Sequence, residues 1–306
     1  MTEFNKKLKI SMIGAGSLAF SSNLISDILL FTDLPKLNLK LSLMDIDKEK
    51  LKIVSAFAEK ISDDKNIPVA IETTTDLDKT LDGADYVIAM FQTGGMEARK
   101  LDMEIPKKYG VNQSIADTLG PGGVFKAIRT VPVLIDICSK MKRHCPDALL
   151  INYTNPMAIN TWAINKATGI KNVGLCHGVE HSKVFLAKCI EKPLEEISFF
   201  GAGINHMLWF LKFRWKGKDA YPLLMERIKD PAIYELDPIR FGLMKYTGYF
   251  CTESAYHTSE YFPYFKDRFF DEYKVLTCEE GHENTMSNWG GGVKIETNPL
   301  GKNKIE

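Results

Sequence analysis

The residues with the most chemistry to offer are a cysteine and two histidines. Cys176 and His177 stand side by side in "GLCHG", and His206 closes "GAGINH" further along the chain. Thiolate and imidazole are both metal donors. Two protein ligands are too few for a closed structural zinc site, but a catalytic metal keeps positions open for substrate. On spacing alone Cys176 reads equally as a buried thiol at a strand end, and His206 as a core histidine. Their separation matches no local zinc motif. By ligand softness, thiolate with imidazole points to zinc or iron.

A second constellation lies near the N-terminus, in "MIGAGS". Gly14-Ala15-Gly16 follows a strand pattern and opens a helix pattern, the context a dinucleotide loop requires. Gly14 allows the tight turn, and Gly16 lets the backbone approach a pyrophosphate. Ser17 belongs to the same loop, and Ala19 takes the third position of the fingerprint. The helix N-terminus favours phosphate charge. Asp45 ends the next strand pattern. A carboxylate there accepts hydrogen bonds from the adenosine ribose hydroxyls and repels a 2′-phosphate, which favours NAD over NADP. The connection that reaches it is longer than usual.

Both constellations need elements to hold them. "LKISMIGAG", "LKLSLMDID", "IPVAIETTTD", "ADYVIAMF", "DALLINYT" and "NVGLCHG" read as strands. "SSNLISDILL", "KEKLKIVSAFAEKIS", "GGVFKAIRTVPVLIDICSKMKRHC" and "PMAINTWAINKAT" carry helical periodicity. Alternation of this kind predicts an α/β fold, a Rossmann-type doubly wound parallel sheet. In such sheets ligands bind beyond the carboxyl ends of the strands. "NYTNP" and "GLCHG" stand at such ends and would bring Asn155, Cys176 and His177 toward the nicotinamide. After about residue 195 the pattern turns to antiparallel strands, then to helix and an aromatic-rich run. The expected division is an NAD-binding domain over 1–195 and an incomplete α+β lobe over 196–306 for substrate and metal. The polar, glycine-rich tail reads as a loop or an abrupt ending.

Composition narrows the function classes. The 39 basic and 39 acidic residues cancel, so nothing electrostatic calls for nucleic acid or an anionic membrane. No apolar run reaches the roughly 20 residues of a membrane helix. The apolar stretch after the N-terminal lysines runs straight into glycines and reads as a first strand, not a signal peptide. The six cysteines lack disulfide-framework spacing and predict reduced thiols in a cytoplasmic protein.

Four segments taken together, "DTLGPGGVFKAIRTVPVLIDI", "CPDALLINYTNPMAINTW", "VGLCHG" and "GAGINHM", resemble glycoside hydrolase family 4. "GYFCTESAYHTSEYFPYF" resembles a run its α-galactosidases carry. The resemblance covers about residues 7 to 268. It implies NAD and a divalent metal, usually manganese. It also implies a reaction unlike that of two-carboxylate glycosidases: oxidation at C3 of the sugar, removal of the C2 proton, elimination at C1, addition of water and return of the hydride. By position, Cys176 and His206 match the metal ligands and Asn155 a substrate contact. His177 matches a candidate proton donor to the leaving group. Tyr249 matches the base, with Tyr246 one helical turn away. Relatives that take 6-phosphosugars have an arginine before the paired glycines that here follow Gln92 and Thr93. Its absence from "FQTGG" points to an unphosphorylated small-molecule glycoside, an α-galactoside first, with α-galacturonide or α-glucoside behind it. Full-length relatives are expected to be homo-oligomers. They usually run considerably longer, so a C-terminally truncated chain, an inactive NAD-binding remnant at the extreme, is a further expectation. A hydroxy-acid dehydrogenase using Arg99, Arg129 and His177 is the competing enzyme, and it leaves the Cys176/His206 pair unexplained.

Overall fold

Strand β1 (Leu8–Ile13) shows how the sheet is built. Its side chains alternate between two buried faces, as a strand covered on both sides must. Ile10 and Met12 enter one apolar cluster, with Leu39, Leu41 and Leu43 of β2 (Leu39–Met44). Ile13 and Met44 enter the other. The computed structural model describes residues 7–31, 33–34, 37–262 and 264–265. The remaining strands of this sheet are β3 (Val69–Thr74), β4 (Tyr86–Ala89), β5 (Leu149–Asn152) and β6 (Asn172–Gly174). The order is β3-β2-β1-β4-β5-β6, with every pair parallel. This is the expected doubly wound arrangement, and its order reverses beside β1, where nucleotides bind in such sheets.

Helices α1 (Leu18–Leu30) and α2 (Lys48–Lys65) cover the first face. In α2, Leu51, Val54, Ala58 and Ile61 recur at helical spacing and are buried. Burying each of the three larger side chains contributes about 1.5–3 kcal/mol. Asp47 caps its first turn through the N–H groups of Glu49 and Lys50, and left-handed Asn66 ends it. The short α3 (Leu77–Leu81), α5 (Gly120–His144) and α6 (Met157–Ala167) supply the second face, through Leu81, Leu134, Ile137, Met141 and Ile164. Between α3 and α5 runs α4 (Gly95–Lys107).

The chain divides into two compact units. One holds the described residues up to Ala98 and Phe125–Leu175; the other holds Arg99–Val124 and the described residues from Cys176 on. The second contains α7 (Gly178–Cys189) and the antiparallel sheet β7 (Ile197–Ile204), β8 (Met207–Trp215) and β9 (Lys218–Asp219). It also contains α8 (Tyr221–Arg227), α9 (Pro231–Tyr234), α10 (Pro238–Thr247) and α11 (Ala255–Tyr261). The division at Leu175 and the inclusion of Arg99–Val124 in the second unit differ from the boundary expected near residue 195, which followed a change of pattern. One part of the difference is α7. Its Phe185 and Leu186 are buried with Phe210, Phe213, Phe241 and Phe250 of the second unit. The glycine-rich tail lies outside the described residues. Among the described residues no helix is long and apolar enough to cross a membrane.

Candidate metal centre and dinucleotide loop

In the first unit the loop after β1 has no room for a side chain at Gly14 or Gly16. Gly14 is left-handed at φ +86°, and a Cβ there would stand 2.7 Å from Cβ of Phe91. The N–H groups of Gly14 and Ala15 both donate to the Met44 carbonyl at 2.9 Å. A Cβ on Gly16 would stand 2.7 Å from Oδ2 of Asp45, and the Gly16 N–H donates to that oxygen at 2.8 Å. Asp45 Oδ1 accepts from Asp47 N–H at 2.9 Å. Ser17, the N-cap of α1, makes no side-chain cap bond, and the first turn of α1 holds no acidic residue. The positive end of the helix dipole is therefore not neutralised by its own side chains. A bare glycine turn, a helix N-terminus with no acidic side chain of its own and a carboxylate beside them fit a dinucleotide.

Asn155 lies in the same unit, on the turn after β5, where its Oδ1 accepts from Met157 N–H at 3.3 Å. Its neighbour Thr154 is locked in place. Thr154 Oγ1 accepts from Phe91 N–H at 3.2 Å, and amides of Asn152 and Asn160 donate to its carbonyl at 3.1 and 2.9 Å. The "FQTGG" loop carries no arginine of its own, but α5 brings one to it. Arg129 Nε stands 3.6 Å from where a Cβ on Gly94 would lie. The guanidinium absent from the loop itself is therefore present beside it, on α5.

The donors in the second unit come from three separate segments. Cys176 follows β6 directly and precedes α7. His206 is the second residue of the two-residue turn joining β7 to β8, where Ile204 pairs with Met207. Its φ of +64° is left-handed, as the second residue of a tight turn can require. The third donor is Glu253, which sequence reasoning did not single out. Residues 250–252 run antiparallel to β8, with Phe210 N–H bonded to the Phe250 carbonyl at 2.9 Å and Thr252 N–H to the Leu208 carbonyl at 2.8 Å. This pairing brings Glu253 level with Met207, next to the hairpin tip.

There the Cys176 thiol donates to Glu253 Oε2 at 3.5 Å. A Cβ on Gly178, the first residue of α7, would overlap the same carboxylate. Arg240, 1% exposed, holds the backbone behind it. The guanidinium donates to the Glu253 carbonyl at 2.9 Å, to Asp237 Oδ2 at 2.6 Å and to Ser182 Oγ at 3.2 Å. It also lies over the rings of Phe185 and Phe250.

The ligand atoms of Cys176, His206 and Glu253 all lie within 4.8 Å of one another, and so do those of Asp117, His206 and His257. Burial, and then the nearby Glu253 carboxylate, push the Cys176 thiol up to about 12. Burial, and then the His257 ring, bring His206 down to about 4, so its imidazole is neutral. A divalent cation reverses the first effect by replacing the thiol proton. Thiolate, carboxylate and neutral imidazole would match its double charge with two negative ligands and leave open positions for substrate. The carboxylate also makes the set harder than cysteine and histidine alone, toward the ions that prefer oxygen.

The other expected site residues lie as follows. His177 is the N-cap of α7, and its ring meets His181 one turn on, with centroids 4.6 Å apart. Burial lowers the His177 pKa. Tyr249 is not brought into the cluster. Its ring packs edge-on against Tyr221 and lines a cavity of about 530 Å³ with Leu211, Lys212, Arg214 and Asp219. Tyr246 is exposed. Asp117, Thr118, Glu253 and His257 were all present in the quoted "DTLGPGG" and "TESAYH" runs, but spacing gave no signal for them.

A family model described as family 4 glycosyl hydrolase matches residues 9–192, and the C-terminal domain model of that family matches residues 201–292. The chain is 42% identical over 266 residues to an α-galactosidase of Bacillus subtilis, covering 86% of this chain and 61% of that protein. It is 30% identical over 279 residues to an α-galacturonidase of Thermoanaerobacter italicus, covering 84% and 60%. It thus spans about three-fifths of the length of these relatives. Its fold is similar to the 6-phospho-β-glucosidase from Thermotoga maritima, solved with manganese, NAD+ and glucose-6-phosphate, with a TM-score of 0.75 and 24% identity over 90% of this chain and 65% of that one.

Proposed function

The chain belongs to family 4 of the glycosyl hydrolases, and on that premise we propose that it hydrolyses an unphosphorylated α-galactoside with NAD and a divalent metal, manganese in the first instance. The observation that carries the reading is the cluster of half-buried Cys176 with buried His206 and Glu253. It gathers donors suited to a catalytic cation, and a dehydrogenase reading leaves it without a purpose. The glycine loop and Asp45 support NAD.

Bound NAD supplies reversible hydride transfer at the sugar C3, and the bound cation supplies Lewis acidity beside the C2 proton. The protein's own residues do the rest. Cys176, His206 and Glu253 hold the cation. Gly14, Gly16 and Ser17 receive the pyrophosphate, and Asp45 the ribose. Asn155 orients substrate. His177 delivers a proton to the leaving group. Tyr249, which the family pattern assigns as the base for the C2 proton, stands outside the cation cluster, so Tyr246 of the same segment is the alternative. The five cysteines among the described residues are free, which supports a reducing, cytoplasmic setting.

Arg129 beside Gly94 favours a second substrate, an α-galacturonide, because a guanidinium pairs well with a sugar carboxylate. Turnover of nitrophenyl α-galactoside and nitrophenyl α-galacturonide, each with NAD and manganese, separates the two. Cleavage of the neutral galactoside alone supports the first reading, and preference for the uronide supports the second. Cleavage undiminished after nucleotide and metal are stripped contradicts both.

A further inference from the structure

We propose that Thr118 sets the tautomer of His206 so that Nε2 offers its lone pair to the cation, and that Asp117 directs this by engaging the Thr118 hydrogen. The inference rests on the reading of His206 as a metal ligand.

Thr118 Oγ1 lies 2.7 Å from Asp117 Oδ1 and 2.6 Å from His206 Nδ1. A hydroxyl has one hydrogen, and an ionised carboxylate can only accept. The Thr118 hydrogen therefore goes to Asp117. Toward His206 the oxygen then presents only lone pairs. A contact this close needs a hydrogen between the two atoms, and with the Thr118 hydrogen on Asp117 it is the one on Nδ1. A neutral imidazole carries a single N–H, so Nε2 is left with its lone pair. The opposite tautomer would set two lone pairs against each other. Metal-bound histidines are generally oriented by such a bond on their other nitrogen.

Thr118 is itself held from outside the His206 hairpin. Glu260 of α11 accepts from the N–H groups of Ile115 and Ala116 at 2.7 and 2.8 Å. Gln113 donates to the Leu119 carbonyl at 2.9 Å and accepts from Gly122 N–H at 2.8 Å. A Cβ on Gly123 would stand 2.7 Å from the Thr118 carbonyl carbon. Asp117, Thr118, His206 and Glu260 are all buried. Among the described residues, Thr118 is the hydrogen-bond partner of the His206 ring. The ring direction is thus set by a loop braced from two helices. Asp117 and Thr118 are positioning residues in this scheme.

The test uses the full chain, with manganese(II) affinity read by calorimetry and the His206 tautomer read by two-bond proton–nitrogen NMR without metal. The wild type should show the Nδ1–H form. Thr118→Val should weaken manganese binding about 10–100-fold, Thr118→Ser should restore it, and Asp117→Ala should weaken it and move His206 toward Nε2–H. Manganese binding unchanged in His206→Ala would overturn the metal-ligand reading and this inference with it. If His206→Ala does lose binding, normal affinity in Thr118→Val overturns the relay alone, and weakening confined to Asp117→Ala makes Asp117 a direct ligand instead. An Nε2–H tautomer in the wild type overturns the relay even where a variant fails to fold.

Discussion

The Glu253 carboxylate reaches the Cys176 thiol, at 3.5 Å, across the bare Cα of Gly178. The two donors are 77 residues apart in sequence. Only a glycine at the start of α7 leaves room for their approach. Gly178→Ala should therefore displace Glu253 while leaving the helix intact, since alanine is the better helix former. The expected result is at least about tenfold weaker manganese binding, measured by calorimetry, with an unchanged circular dichroism spectrum. Unaltered affinity would remove Glu253 from the ligand set.

Arg240 stabilises the segment that carries Glu253, and its own partner Asp237 is equally buried, at 3% exposed. Arg240→Met fills similar volume but strands that carboxylate. Breaking a buried ion pair from one side costs about 3–5 kcal/mol. Urea unfolding should show a loss of that size, partly recovered in Arg240→Met with Asp237→Asn. A loss below about 1 kcal/mol, the range of surface pairs, would mean that the pair contributes little.

In the other unit, Gly14→Ala meets both a left-handed backbone at φ +86° and the Cβ of Phe91 at 2.7 Å. NAD affinity should fall at least about tenfold, comparable with the cost of one strained backbone position, while manganese affinity stays near that of the wild type. Equal loss of both ligands would indicate global unfolding and not a local role for the loop.

Tyr249→Phe keeps the ring against Tyr221 and removes only the phenol oxygen. Incorporation of solvent deuterium at C2 of the sugar should be lost with the fold unchanged. Unchanged incorporation moves the base to Tyr246 or to another residue, in keeping with the position of Tyr249 outside the cluster.

Sequence reading located the parts of the fold that depend on local pattern. β1, its glycine turn and α1 follow one another in "LKISMIGAGS", and the apolar spacing of α2 is regular. Of the helices it missed, two longer ones escaped for physical reasons. In α4 the apolar Met96, Leu101 and Ile105 are exposed while Asp102 and Pro106 are buried, so hydrophobic periodicity points the wrong way. α7 starts on a glycine with no side-chain cap bond, and its apolar residues crowd into its second half. The site shows the same division. Cys176 and His206 stood out because thiols and imidazoles are uncommon. Glu253, Asp117 and Thr118 are ordinary residue types whose proximity to His206 arises from long-range pairing along β8 and from the bracing of residues 113–119, which no local spacing encodes.

Calorimetric titration of manganese(II) and of NAD into the wild type, Cys176→Ser, His206→Ala and Glu253→Gln asks whether these three side chains hold the cation while NAD binds independently of them. One manganese site is expected in the wild type, weakened at least about tenfold by each substitution, with NAD affinity unchanged throughout. Manganese binding that survives all three substitutions at wild-type affinity would mean that other residues hold the cation.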